Sequence, residues 1–294
     1  MGLRRRLTVG RARRALVAAV MVAAAIAGVQ PTHARVQAAD ADGHVFVLEA
    51  PAGRIVSLAP HLTELLFAAG AGDRVVGTVA YSDHPAAARA IARVGDAALL
   101  DLERIAALRP DLIVVWRNGT SPQQLQRLAT LNVPMFASEA RTLSDIGASL
   151  RALGALAGAP EAAARKAAEF DAEVTALRAR YATRTTLKVF YQIWPQPLMT
   201  INGEHLISQV LALCGARNVF ADQRLLTPTV TEEAVLLADP DAIVVGRVDG
   251  SDAGAFERWR RLGALRAARA GHFVLIDRVV QGARELCQKL DALR

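Results

Sequence analysis

The sequence predicts an α/β protein of two Rossmann-like lobes bridged by one long helix. Three observations lead there. Short, continuously apolar segments alternate with helical ones in the first and last parts of the chain, a middle stretch is rich in Ala, Leu, Arg and Glu, and a helix, Pro-Asp, strand unit occurs twice. A strand that is apolar throughout buries both faces, as in parallel sheets covered by helices on each side.

The elements follow in order. After polar sequence to about residue 52, residues 54–58 (RIVSL) read as a buried strand that ends at Ala59-Pro60. Thr63 precedes a helical run to Ala69, stopped by Gly70 and Gly72. Residues 75–79 are the next strand, 102–108 a helix ended by Arg109-Pro110, and 112–116 (LIVVW) another strand. A helix at 123–131 and a short strand at 134–136 complete a first lobe over 53–141. Residues 142–184 form a helical linker, broken at Gly158-Ala159-Pro160, whose long bridging helix covers 161–181. Pro160 suits that helix's first turn. The second lobe, 185–294, repeats the grammar: strand 187–192, helix 207–214, strand 242–245, helix 255–262, strand 273–276 and a last helix to 290. The two copies of the repeat align without gaps. LERIAALRPDLIVVW (102–116) lies over EEAVLLADPDAIVVG (232–246), pairing Glu103 with Glu233, Pro110 with Pro240 and Asp111 with Asp241. Two such units suggest lobes related by an approximate two-fold.

Composition narrows the function. With 52% hydrophobic and 21% charged residues, the chain of 294 can bury a large core and is no disordered tail. The net charge of +7 equals the seven arginines of residues 1–38, a segment without any acid. The remainder is neutral, so nucleic-acid binding loses its compositional support. Residues 1–38 also hold an apolar run at 15–29 and small-residue sites at 32–34 and 36–38, the order of a cleaved signal peptide. Arg4-Arg5-Arg6 only loosely resembles a twin-arginine signal, which favours the general secretory route. The expected location is the periplasm. The two cysteines, Cys214 and Cys287, then reach an oxidising compartment, where an even count favours a disulfide over two separate buried thiols.

Catalytic equipment is scarce. Gly70-Ala71-Gly72 ends a helix instead of leaving a strand, and the sequence has no phosphate loop, GxSxG or HExxH. A binding protein without enzymatic activity or resident cofactor is expected. His61 and His84 follow strands and could face a cleft at the strands' carboxyl ends, yet two ligands are too few for a metal site. The scarce aromatics are more informative. Tyr81, Trp116 and Trp194 each stand at the end of a strand, as a stacking site for a large planar ligand would require.

Several motifs in order, RIVSLAPHLTELLFAAG, YSDHP, LERIAALRPDLIVVWRNG, LALCGARNVF and ARELCQKL, resemble the periplasmic cobalamin-binding proteins of ABC vitamin importers. The resemblance covers nearly the whole mature chain. It implies a monomeric receptor that holds a corrinoid between its lobes, hinges only slightly, and delivers the ligand to an ABC permease dimer. Carried over by position, Tyr81 and Trp116 match aromatic corrinoid contacts of the first lobe, Glu103 and Glu233 match acids that dock on permease arginines, and Cys214 and Cys287 match a disulfide. Departures are local. Ile193, Met199 and Thr227 stand where aromatic rings are usual, with Trp194 adjacent. After the strand 273–276 the family carries a loop with an acid and an arginine that reach the corrinoid edge, whereas this chain passes from Asp277-Arg278 almost directly into the last helix. The same architecture would also suit a ferric-siderophore or haem receptor, with Arg117, Arg224 and Arg247 binding anionic groups. A third reading is an exported metal-dependent enzyme using His61 and His84.

Overall fold

The computed structural model describes residues 35–96, 98–246, 254–276 and 282–294. The first lobe is a five-stranded parallel sheet of β3 (Ile55–Ser57), β4 (Val75–Thr78), β5 (Ala92–Arg93), β6 (Leu112–Trp116) and β7 (Met135–Ser138), in the order β5-β4-β3-β6-β7. The second is a four-stranded parallel sheet of β8 (Leu187–Gln192), β11 (Ala216–Asn218), β12 (Ala242–Gly246) and β13 (Phe273–Ile276), in the order β11-β8-β12-β13. Between them run α4 (Leu143–Leu156) and the 22-residue α5 (Pro160–Tyr181). Preceding the first lobe, β1 (Val36–Ala39) and β2 (Val45–Leu48) form an antiparallel hairpin.

Each sheet is apolar on both faces because helices cover both. Val56, Ile113 and Val115 pack with Ile105 of α2 (Leu102–Ala107) and Leu128 of α3 (Pro122–Ala129). Ile55, Leu112 and Val114 point the other way, toward α1 (Pro60–Ala68) and α4. In the second lobe Phe190 and Ile243 meet Val235 of α7 (Glu232–Ala238) and Trp259 of α8 (Glu257–Arg260), and Ala267 of α9 (Arg266–Ala270) closes that side. Val189 and Val244 meet α6 (Leu206–Leu213) and α10 (Ala283–Asp291).

The long helix does bridge the lobes. At 22 residues it spans roughly 33 Å at 1.5 Å per residue. Its first turn lies against Gly70 of the first lobe, and the carbonyl of Tyr181, its last residue, lies against Gly215 of the second. It packs tightly on α4: a Cβ at Gly154 would overlap the methyl of Ala163, so glycine sets how closely the two helices approach. The core containing Leu112, Leu153, Ala163, Tyr181, Val210 and Val244 runs unbroken from one sheet through these helices to the other.

The repeat is visible in three dimensions. In both sheets the first strand has the second on one side and, on the other, the strand that follows the Pro-Asp. Arg109 and Asp239, paired in the alignment, both end their helix at positive φ, 47° and 40°. Asp111 accepts from the backbone N–H groups of Gly53 and Arg54 at 2.8 and 2.9 Å, and Asp241 accepts from that of Lys188 at 2.8 Å, so each Pro-Asp ties its strand to the start of the lobe's first strand. Arg54 then donates to the carbonyl of Leu108 at 2.7 Å and Lys188 to that of Ala238 at 2.9 Å. In each lobe a cation thereby caps the carboxyl end of the helix, where the dipole favours it.

Several expectations shift. The first helix begins at Pro60 rather than after Thr63, whose hydroxyl instead donates inward to Ser57 Oγ at 2.9 Å. The stretch before residue 52 holds a hairpin, and the Ala41 N–H donates to the carbonyl of Ala137 in the first lobe at 2.9 Å. A helix expected at 255–262 is split, with only Glu257–Arg260 regular. Most of the expected signal segment, residues 1–34, lies outside the described residues, whereas β1 begins at Val36. Among the described residues no helix is long and apolar enough to cross a membrane.

Candidate ligand crevice

In each lobe the chain leaves the first strand toward one side of the sheet, and the strand that follows the Pro-Asp lies on the other. A crevice opens where two such connections part, at the strands' carboxyl ends. In the first lobe those strands are β3 and β6. His61, second residue of α1, follows β3, and Trp116 ends β6. Their rings meet edge to face, centroids 5.0 Å apart and planes at 84°. Burial holds the His61 pKa down to about 4, so the imidazole is neutral at neutral pH.

Trp116 is 39% exposed, and its turn is tightly built. The N–H groups of Gly119 and Thr120 donate to its carbonyl at 3.2 and 2.9 Å. The indole lies over Gly119, where a Cβ would fall within the ring. Arg117 is spoken for: it pairs with Asp42 of the hairpin turn at 2.8 Å.

Tyr81, in the loop after β4, is 71% exposed and holds a left-handed φ of 63°, unfavourable for an aromatic residue. Its loop is clamped from beneath. Arg93 donates to the Ser82 carbonyl at 3.1 Å and to the Asp83 carboxylate at 2.9 Å, and the Thr63 hydroxyl lies 3.4 Å from that of the buried Ser82. A strained backbone that presents a large ring to solvent is characteristic of binding sites.

The second lobe answers with a small hairpin after its own first strand. Trp194 in β9 (Trp194–Pro195) pairs with Met199 in β10 (Leu198–Met199). Ile193 packs on the core, and the next residue, Trp194, is thereby turned outward and 45% exposed. Beside this hairpin, Leu225 and Leu226 are 69% and 52% exposed on the loop after β11, held by the Asn202 N–H donating to the Leu226 carbonyl at 3.0 Å. Sequence reasoning passed over them. Two adjacent leucines in a polar loop were the available signal.

The structure thus brings His61 together with Trp116 and Trp194 together with Met199. Among the described residues no hydrogen bond or ring contact joins these two groups or ties Tyr81 to either. Asp277, Arg278 and Arg247 lie outside the described residues. Among the described residues one cluster of three His, Cys, Asp or Glu ligand atoms occurs, at Asp40, Asp42 and His44, and it includes neither His61 nor His84. There Asp40 already accepts the N–H groups of Asp42 and His44 at 2.9 and 2.8 Å.

Glu103 and Glu233 are both exposed in the first turns of α2 and α7. Each of these helices returns the chain from one parallel strand to the start of the next, so its amino end lies at the carboxyl edge of the sheet. Both acids therefore stand at the crevice end of their lobes. The Glu233 carboxyl is held below the usual carboxylate range by its own backbone N–H and the Thr231 hydroxyl. Cys214, at the end of α6, is joined to Cys287 of α10, and both are fully buried.

Two α/β lobes on a helical spine, with exposed rings at both carboxyl edges, define a solute-binding protein. The family described as periplasmic binding protein matches residues 55–280, and the chain belongs to it. It is 37% identical over 250 residues to a vitamin B12-binding protein of Pectobacterium carotovorum, covering 82% of this chain and 89% of the relative. To one of Yersinia pestis it is 41% identical over 194 residues, 66% of this chain and 69% of the relative. Among solved structures, the periplasmic vitamin B12 binding protein BtuF of Vibrio cholerae superposes with a TM-score of 0.74 at 31% identity, over 83% of this chain and 98% of that one. A periplasmic heme binding protein from Pseudomonas aeruginosa shares the fold, with a TM-score of 0.71 at 24% identity over 80% of this chain and 91% of that one.

Proposed function

We propose that this protein is a periplasmic receptor that captures a corrinoid of the cobalamin class between its lobes and delivers it to an ABC permease dimer. The observation that carries this is the set of exposed rings, Tyr81, Trp116 and Trp194, at the carboxyl edges of both sheets in a chain closely similar to vitamin B12-binding proteins. A corrin is a wide, largely apolar disc. Aromatic faces and the apolar Met199, Leu225 and Leu226 would bury it with little polar competition. His61 lines the same crevice, and Asp277 and Arg278 are the groups suited to the polar edge of the ring system. Binding, rather than catalysis, is the task, and the corrinoid is cargo rather than cofactor. Glu103 and Glu233, one per lobe and related by the repeat, would meet a two-fold permease symmetrically while the receptor acts as a monomer. Export would remove a signal ending at Ala34, since Arg35 pairs with Glu49 at 2.7 Å and β1 pairs with β2. Competition tests the ligand class: cobinamide and cyanocobalamin should displace one another from the purified mature protein, and haem or a ferric-siderophore panel should displace neither. Tight binding of haem with no binding of either corrinoid would overturn the assignment.

A further inference from the structure

One side chain of the crevice has a chemistry that stacking does not use. His61 is packed edge-on against Trp116, and neither of its ring nitrogens has a hydrogen-bond partner among the described residues. Among the described residues no fully buried side-chain nitrogen or oxygen lacks a partner, so both His61 nitrogens keep some access to solvent. An imidazole that needed only to fill space would usually tether one nitrogen to a carbonyl or carboxylate. A neutral imidazole held edge-on against Trp116 with untethered nitrogens has a nitrogen lone pair available to a metal.

Resting on the corrinoid assignment, we propose that His61 is an axial ligand to the cobalt of the bound corrinoid. Trp116 fixes the plane of the imidazole, and the rigid first turn of α1 fixes its position. In the exchange, an axial water leaves cobalt as the imidazole lone pair forms the new cobalt–nitrogen bond. The metal keeps its oxidation state, and no proton is released because the ring is already neutral. Forms with an exchangeable axial position would gain this bond. A form whose axial sites are held by cyanide would be retained by stacking alone.

Cobinamide isolates the bond because it lacks the nucleotide base that otherwise supplies a nitrogen to cobalt. The mature protein is mixed with cobinamide reduced beforehand to the cobalt(II) state, and its electron paramagnetic resonance spectrum is recorded. The expected spectrum shows cobalt lines split into triplets by a single nitrogen. His61→Phe, which keeps a ring against Trp116 but has no nitrogen, and His61→Ala should both lose the splitting, with circular dichroism confirming that each is folded. Cobinamide bound by the wild-type protein without nitrogen splitting would overturn the inference while the corrinoid assignment stands. Splitting that persists in both variants would assign the nitrogen elsewhere and overturn it too. If the wild-type protein binds neither cobinamide nor cyanocobalamin in equilibrium dialysis, the corrinoid assignment fails and this inference with it, whereas binding of cyanocobalamin alone overturns only the inference.

Discussion

Trp116 shows how an exposed ring is held by what surrounds it. Its indole rests over Gly119, its carbonyl closes the following turn, and its edge meets His61. A methyl at position 119 must push the ring aside without touching the ligand. Gly119→Ala should therefore weaken corrinoid binding by about tenfold, the scale of displacing an aromatic anchor, while leaving the melting temperature nearly unchanged. Equal affinity for wild type and variant in fluorescence titration would show that the ring contributes little. The three rings were legible in the sequence, because aromatics are scarce and each follows an apolar strand. The contact between His61 and Trp116 was not, since it depends on β3 and β6 being neighbours in the sheet, and chain order does not specify adjacency. Leu225 and Leu226 escaped notice for a different reason: an exposed leucine cannot be told from a core leucine without knowing what covers it.

Among the elements, α6 and α10 are joined by a disulfide across 73 residues. Chain entropy attributes roughly 4 kcal/mol to closing a loop of that size. With both cysteines fully buried, reduction requires unfolding. Intact mature protein should show no free thiol after denaturation, and Cys214→Ala/Cys287→Ala should melt about 8 to 16 °C lower on that figure. Two titratable thiols in oxidised protein would refute the bridge. Helix and strand positions were readable where their signals are local, as at Pro160 or in the apolar runs of β6 and β8. The hairpin β1–β2 was not, because its strands alternate half-buried and exposed residues over only four positions each and gain their cover from α4 and β7. The repeated Pro-Asp was visible, but its work was hidden. Asp111 and Asp241 pair with the backbone of a strand more than 50 residues earlier.

Across the whole molecule, one core continues through α4 and α5 into both sheets and so links the two rims. Glu103 and Glu233 stand on those rims, exposed. Solvated charges contribute little to stability but guide encounter and register with a partner. Glu103→Ala and Glu233→Ala should each weaken permease binding by about fivefold, the double variant more, with a steeper effect at low salt and unchanged corrinoid affinity. Surface plasmon resonance on permease in nanodiscs measures this, and loss of ligand affinity with permease binding intact would contradict the assignment of the rims. The central claim is that both lobes contribute rings to a single corrinoid site. Calorimetric titration of the mature protein with cyanocobalamin tests it most directly: the account predicts one ligand per chain, with Trp116→Ala and Trp194→Ala each losing about tenfold to a hundredfold in affinity. No heat at high concentration, or a loss confined to one lobe's variant, would contradict it.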